Sequence, residues 1–114
     1  MARMIRQGDV LLIPVERVPE QVSPVARRDG RLVLADGEVT GHAHVIGAER
    51  AELVTAEQAA ELYLLVYGDE PVELTHEEHS TLPVQPGAYR VVRQREFDPT
   101  QRLELDRNWR RVAD

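Results

Sequence analysis

Cysteine and lysine are absent from the 114-residue sequence, and serine occurs only twice, at Ser23 and Ser80. Without cysteine the chain cannot form disulfides, thiolate nucleophiles or cysteine-based structural zinc sites. Because all 14 basic residues are arginine, a Schiff-base lysine and the lysine of a phosphate-binding loop are also excluded. Neither serine lies in the turn motif that exposes the nucleophile of serine hydrolases.

Aromatic residues make up only 4% of the chain, and no apolar run approaches the roughly 20 residues of a membrane-spanning helix. Val, Leu, Ile and Ala must therefore supply most of the core, which at this length is one small domain over residues 1–114. Residues 1–6 lack the apolar segment of a signal peptide. We expect a soluble, cytoplasmic protein with no membrane partner.

The net charge of −6 is concentrated in the middle of the chain. Residues 29–89 contain two arginines against twelve acidic residues, whereas residues 1–28 and 90–114 each have two more arginines than acidic residues. All four histidines lie in this acidic middle, which attracts cations and repels phosphate groups. We therefore expect a cation, and not nucleic acid, as the partner of that surface.

Apolar runs separated by turn pairs predict a mainly β fold. Residues 8–15 are a continuous apolar run with branched side chains, which is typical of a buried strand. The pairs Asp29-Gly30 and Asp36-Gly37 flank residues 31–35 and predict a hairpin with a strand over residues 38–46. Further strands are predicted over residues 62–67, 72–76, 88–97 and 102–105.

Other segments interrupt or close this pattern. Thr55 and Gln58 have the spacing of a capping box, which predicts a short helix over residues 55–61. The proline-containing segments 18–28 and 83–87 are predicted to be loops. The expected architecture is a small single-domain β-barrel or sandwich of about seven strands with one short helix, onto which Trp109 and Val112 dock the tail. So short a chain also favours a homo-oligomer, because a shared buried face adds stability.

The histidines occur in two short clusters, Thr40-Gly41-His42-Ala43-His44 and Thr75-His76-Glu77-Glu78-His79, about thirty residues apart. On an extended strand the two histidines of the first cluster lie on the same face, which is good chelating geometry. Imidazole is the commonest protein ligand for metals near neutral pH. The pattern predicts one shared metal ion; a pH-responsive polar cluster and an accidental surface patch are the alternatives. The predicted metal ligands are His42, His44, His76 and His79.

Four imidazoles with nearby carboxylates and no sulfur suit Zn²⁺, Fe²⁺, Mn²⁺, Ni²⁺ or Cu²⁺, and not Ca²⁺ or Mg²⁺. The zinc-protease motif needs histidines four residues apart on a helix, and His76 and His79 are three apart in a segment that follows a strand. That enzyme class is therefore excluded. Glu77 and Glu78 are the nearest candidates for a general base or an additional ligand.

His42-x-His44, followed after four residues by Glu49, resembles the first metal motif of the cupins, which are small β-barrels. Pro86-Gly87-x-Tyr89 is similar to the turn in the second cupin motif, although no histidine follows it. The resemblance implies a metal-centred β-barrel in which Glu49 falls where the motif has its glutamate. It implies no substrate.

Two classes of function follow from the predicted site. Three protein ligands plus water would make a reactive centre, as in a metal-dependent hydrolase or oxygenase that acts on a small molecule. Four protein ligands would leave the ion no open coordination position, as in a non-enzymatic binding or assembly module with a structural metal or a histidine cluster. The number of protein ligands therefore distinguishes the two classes.

Overall fold

The computed structural model describes residues 3–36, 42–57 and 60–94. These residues form ten β-strands, and the pairings between them are antiparallel. The prediction of a mainly β fold is confirmed. The strands are β1 (Ile5–Gln7), β2 (Val10–Val15), β3 (Val22–Pro24), β4 (Leu32–Asp36), β5 (Ala43–Ile46), β6 (Ala51–Ala56), β7 (Leu62–Val66), β8 (Val72–His76), β9 (His79–Val84) and β10 (Gly87–Arg93).

The strands are arranged in two sheets that share one core. The larger sheet has the order β1-β2-β10-β7-β6-β3, and the smaller has the order β4-β5-β8-β9. Neither order closes on itself, so the two sheets form a sandwich-like arrangement and not a closed barrel. Leu12, Leu64 and Tyr89 of the larger sheet and Leu32 and Leu74 of the smaller sheet belong to the same buried cluster. Aliphatic side chains dominate this core, as the scarcity of aromatic residues predicts.

Several predicted strands are confirmed almost to the residue. The apolar run 8–15 contains β2, and the predicted strands over residues 62–67 and 72–76 correspond to β7 and β8. The predicted hairpin is also present, because Leu32 of β4 lies opposite Ile46 of β5. Residues 37–41 within that hairpin lie outside the described residues. The end of the predicted strand 88–97 and the tail predictions for 102–105, Trp109 and Val112 also lie outside them.

The helix predicted from Thr55 is wrong for the described part of that segment. Thr55 lies in β6, where it pairs with Leu62, and the Ala56 amide donates a hydrogen bond to the Glu61 carbonyl at 2.9 Å. Ladder pairing with β7 and burial of Ala56 outweigh the weak local preference of a capping box. Across residues 3–36, 42–57 and 60–94 there is no helix long and apolar enough to cross a membrane.

Two predicted loops contain strands. Residues 18–28 include β3, and Pro83 lies within β9. β1 and β6 were not predicted as strands either, so the described residues contain ten strands where about seven were predicted for the chain. β3 and β9 are each the last strand in their sheet. A proline is tolerated at such an edge because its missing N–H need not belong to the hydrogen-bonded ladder. The edge position therefore accommodates the prolines that made these segments resemble loops.

Candidate functional site

The two histidine clusters lie side by side in the smaller sheet. His42 immediately precedes β5, and His44 is its second residue. His76 ends β8 and His79 begins β9, so that Glu77 and Glu78 form the turn between them. Since β5 pairs with β8 through Val45–Thr75 and Ile46–Leu74, the sheet brings the two clusters together.

The four imidazole rings are grouped around His76. Its ring centroid lies 4.4 Å from that of His44, 4.7 Å from that of His79 and 5.8 Å from that of His42. The centroids of His44 and His79 are 5.9 Å apart. Two imidazoles bound to one ion through nitrogens at about 2.1 Å have centroids roughly 4.5–6 Å apart. The predicted convergence of the two clusters is therefore present; the His44–His76 separation lies just below this range, and the other three separations lie within it.

Gln7, the last residue of β1, holds the most buried of these rings. Its side chain is 3% exposed, and its amide nitrogen donates hydrogen bonds to the carbonyls of Leu74 and Ser80, both at 2.9 Å. Its amide oxygen lies 2.8 Å from Nδ1 of His44, which is itself only 1% exposed. Gln7 thereby connects the first hairpin to β8, β9 and the histidine cluster.

Asp9 brings a carboxylate to the other nitrogen of His44. It lies in the two-residue turn between β1 and β2, and its Oδ1 is 3.2 Å from Nε2 of His44. Its backbone carbonyl accepts a hydrogen bond from the Gln94 amide at 2.8 Å, and its Oδ2 is 3.6 Å from Arg93. Sequence analysis did not identify either Gln7 or Asp9, because each is a single polar residue far from the histidines along the chain.

Gly8, the other residue of that turn, lies directly against His79. It has a φ of +59°, and a Cβ added to it would lie 2.6 Å from Nε2 of His79. Only glycine combines this left-handed backbone with so close an approach to the ring. The turn 8–9 therefore forms one wall of the histidine cluster.

We expect Gly8→Ala to displace the His79 ring, with Gly30→Ala as the matched control. Gly30 also has a positive φ, of +78°, but a Cβ there would meet nothing within 4 Å. Each substitution should lower the free energy of unfolding by about 1 kcal/mol, because alanine is strained in the left-handed region. Since His79 is exposed, its ring can turn away from the new methyl group. The NMR resonances of the His79 ring should shift in Gly8→Ala only; equal spectra in both variants would contradict this packing.

Several ring nitrogens have protein partners. Nδ1 of His76 accepts a hydrogen bond from the Glu78 amide at 3.0 Å, and Nδ1 of His42 lies 3.4 Å from the Glu78 carboxylate. In this conformation, no group of three or more His, Asp or Glu side chains within the described part of the chain is arranged to hold a metal ion. The rings are close to one another, but their nitrogens are not aimed at a common point.

The carboxylate candidates occupy different positions. Oε1 of Glu77 accepts a hydrogen bond from the Ala43 amide at 3.1 Å, and this bond is the main reason that the pKa of Glu77 is lowered. Glu77 therefore stays ionised and links the start of β5 to the β8–β9 turn. The Glu78 carboxylate lies 3.4 Å from Nδ1 of His42, and Glu49 lies exposed in the connection between β5 and β6. The structure thus brings Glu77 and Glu78, but not Glu49, to the described histidine contacts.

Burial dominates the electrostatics of His44. Desolvation lowers its pKa below 6.5, and the neighbouring His76 lowers it further, while Asp9 acts in the opposite direction. The interior therefore favours the neutral ring. Neutral imidazole is the form that binds metal ions.

The metal-free protein should lose stability as the pH falls below the ordinary histidine range. Because the pKa of His44 is lowered by folding, the unfolded chain takes up a proton there before the folded chain does. The resulting loss of stability is absent at pH values well above the pKa of His44 in the unfolded chain. It grows as the pH decreases through that pKa. Urea unfolding with chelator at about pH 7.5 and about pH 5.5 should show a larger loss for wild type than for His44→Gln. An equal loss in both proteins would contradict the assignment.

Comparison with known proteins gives one match. The family model described as Domain of unknown function (DUF8820) matches residues 6–94, which include Gln7, Asp9 and both histidine clusters. No curated protein and no solved structure matches the chain. The matched segment covers most of the chain and nearly all of its described strands. The chain therefore belongs to the DUF8820 family.

Proposed function

We propose that this domain binds one divalent transition-metal ion at the histidine cluster. The observation that carries the proposal is the grouping of His42, His44 and His79 around His76, with ring centroids 4.4–5.8 Å from that of His76. All the histidines of the chain take part in this group. Four imidazoles without sulfur suit Zn²⁺, Fe²⁺, Mn²⁺, Ni²⁺ or Cu²⁺.

The donor chemistry fits such an ion, and the surroundings favour it. The segment 29–89 carries twelve acidic residues against two arginines, so that the local charge attracts a cation. Binding requires the ring nitrogens to turn toward a common point. The contact that must open, between the Glu78 amide and Nδ1 of His76, lies in an exposed two-residue turn. Rearrangement there disturbs little buried structure.

The exposure of the histidine cluster favours a reactive metal centre over a closed one. His79 is exposed and the side chain of His42 is 26% exposed, so the cluster faces solvent on the side of the β8–β9 turn. A bound ion would supply Lewis-acid chemistry that activates water, and a redox-active ion such as Fe²⁺ would also bind O₂. Glu78 would then be the nearest candidate to exchange a proton, while Glu77 holds the turn against β5. We propose a small molecule as the substrate of a hydrolase or oxygenase of this kind.

A closed structural ion is the second candidate function. His76 lies at the centre of the group, and four imidazole ligands would saturate a tetrahedral ion. The domain would then be a binding or assembly module, and the proposed homo-oligomer would be its functional form. In both cases we propose a cytoplasmic, cupin-like metal-binding domain without a nucleic-acid partner.

A cobalt titration tests the proposal. Full-length protein without a His-tag, stripped of metal, should bind one Co²⁺ per chain and develop visible absorption bands. These bands should disappear when Zn²⁺ displaces the Co²⁺. Intense bands are typical of four-coordinate Co²⁺, and their loss on adding small anions would indicate an open coordination position. Absence of saturable binding of either ion at micromolar concentration would refute the proposed function.

A further inference from the structure

We infer that Asp9 is a further ligand of the same ion and that Gln7 is the positioning residue that directs Nε2 of His44 toward it. This inference rests on the proposed function and extends it to two residues outside the histidine clusters. It also assigns a direction to each nitrogen of the buried ring. The argument starts from Gln7.

The hydrogen-bond partners of Gln7 allow its side-chain amide only one orientation. Its nitrogen faces the carbonyls of Leu74 and Ser80, which can only accept hydrogen bonds. Its oxygen must therefore be the atom that faces Nδ1 of His44 at 2.8 Å. An amide oxygen cannot donate, so Nδ1 of His44 must carry the proton that forms this hydrogen bond.

In a neutral ring, the remaining nitrogen then has a bare lone pair. Nε2 of His44 lies 3.2 Å from Oδ1 of Asp9, and a carboxylate oxygen is also an acceptor. Two acceptors at this distance repel each other unless a proton or a metal cation lies between them. A metal ion bound by both Nε2 of His44 and Oδ1 of Asp9 removes this repulsion.

The separation of the two atoms suits a shared ion. A nitrogen and an oxygen bound to one ion at about 2.0–2.2 Å lie roughly 3.0–3.5 Å apart, and the observed distance is 3.2 Å. A histidine ligand normally donates its other N–H to an oxygen that fixes the ring, which is the part Gln7 plays here. Arg93 stands 3.6 Å from the second oxygen of Asp9, where it can orient that carboxylate.

Nitrogen NMR of the metal-free protein tests the positioning role directly. At about pH 8, well above the ordinary histidine range, the His44 ring should be neutral with its proton on Nδ1. In Gln7→Met the oxygen acceptor is lost, so the proton should move to Nε2, where Asp9 accepts it. A proton on Nε2, or a doubly protonated ring, in the wild-type protein would overturn the inference.

Metal affinity tests the ligand role, with Asp69→Asn as the matched control. Asp69 lies in the exposed turn between β7 and β8, and its substitution makes the same change in charge. Calorimetric titration with Zn²⁺ should show at least a tenfold weaker affinity for Asp9→Asn and an unchanged affinity for Asp69→Asn. This measurement does not depend on whether Gln7→Met folds.

The outcomes separate this inference from the function on which it rests. If wild type binds Zn²⁺ and Asp9→Asn binds it equally well, Asp9 is not a ligand, and the histidine site stands alone. If wild type binds no Zn²⁺, the proposed function fails, and the ligand role of Asp9 fails with it. Weaker binding by Asp9→Asn, together with the Nδ1 proton in wild type, supports both steps of the inference.

Discussion

Replacing His42 and His44 together with alanine should remove stoichiometric metal from the protein. His42 immediately precedes β5 and His44 lies within it, so the two residues offer an ion two imidazoles from neighbouring backbone positions. The remaining pair would have to bind alone, and the most buried donor would be missing. We expect affinity to fall by about 100-fold or more, beyond the 10–100-fold effects typical of residues that merely support a ligand. Metal content and Zn²⁺ titration measure the loss.

Two controls separate loss of ligands from loss of fold. His44 is buried against Gln7, so the pair of glutamine substitutions His42→Gln and His44→Gln retains more of the side-chain volume. The double substitution Glu52→Ala and Tyr67→Ala removes an exposed hydrogen-bonded pair on the larger sheet and should leave metal binding unchanged. Circular dichroism checks each variant for β structure. Full metal content in a folded His42→Ala, His44→Ala variant would contradict the proposed site.

His76→Gln should weaken metal binding about as much as His44→Gln. The reason is the central position of His76, whose ring lies 4.4 Å from that of His44 and 4.7 Å from that of His79. If one ion is shared, each substitution removes one ligand of the same coordination shell, and affinity should fall by about 100-fold in both. Zn²⁺ titration of the two single variants under identical conditions makes the comparison.

Unequal effects would have a specific meaning. Unchanged affinity in His76→Gln, beside abolished affinity in His44→Gln, would show that the second cluster does not supply a ligand through His76. His76 would then keep the hydrogen bond that its Nδ1 accepts from the Glu78 amide. Glu78 would no longer be a candidate catalytic residue. The shell would have to be completed from Asp9, His42 and His79.

Local patterns were sufficient for much of the fold. β2, β7 and β8 are short apolar runs bounded by glycine, aspartate or proline, and each lies within one residue or two of its predicted limits. β9 was not predicted because Pro83 resembles a loop residue unless the segment is known to lie at the edge of a sheet. The helix predicted from Thr55 failed because pairing between β6 and β7 is a tertiary interaction that a capping box does not report.

The candidate site, like the fold, was predicted only in part from local patterns. The spacing within each histidine cluster is local, so it predicts which residues belong together, and the pairing of β5 with β8 then unites the clusters. The contributions of Gln7, Asp9 and Gly8 depend on where the first hairpin packs, against elements 35 to 73 residues further along the chain. A single glutamine or a Gly-Asp turn carries no signal of such a contact. Only the three-dimensional arrangement identifies them.

Metal analysis of the full-length protein, purified without a His-tag and without added metal, tests the central claim most directly. The account predicts close to one transition-metal ion per chain in the wild-type protein and almost none in the His42→Ala, His44→Ala variant purified in parallel. A wild-type protein that contains no transition metal and takes up neither Zn²⁺ nor Co²⁺ when both are supplied would contradict it.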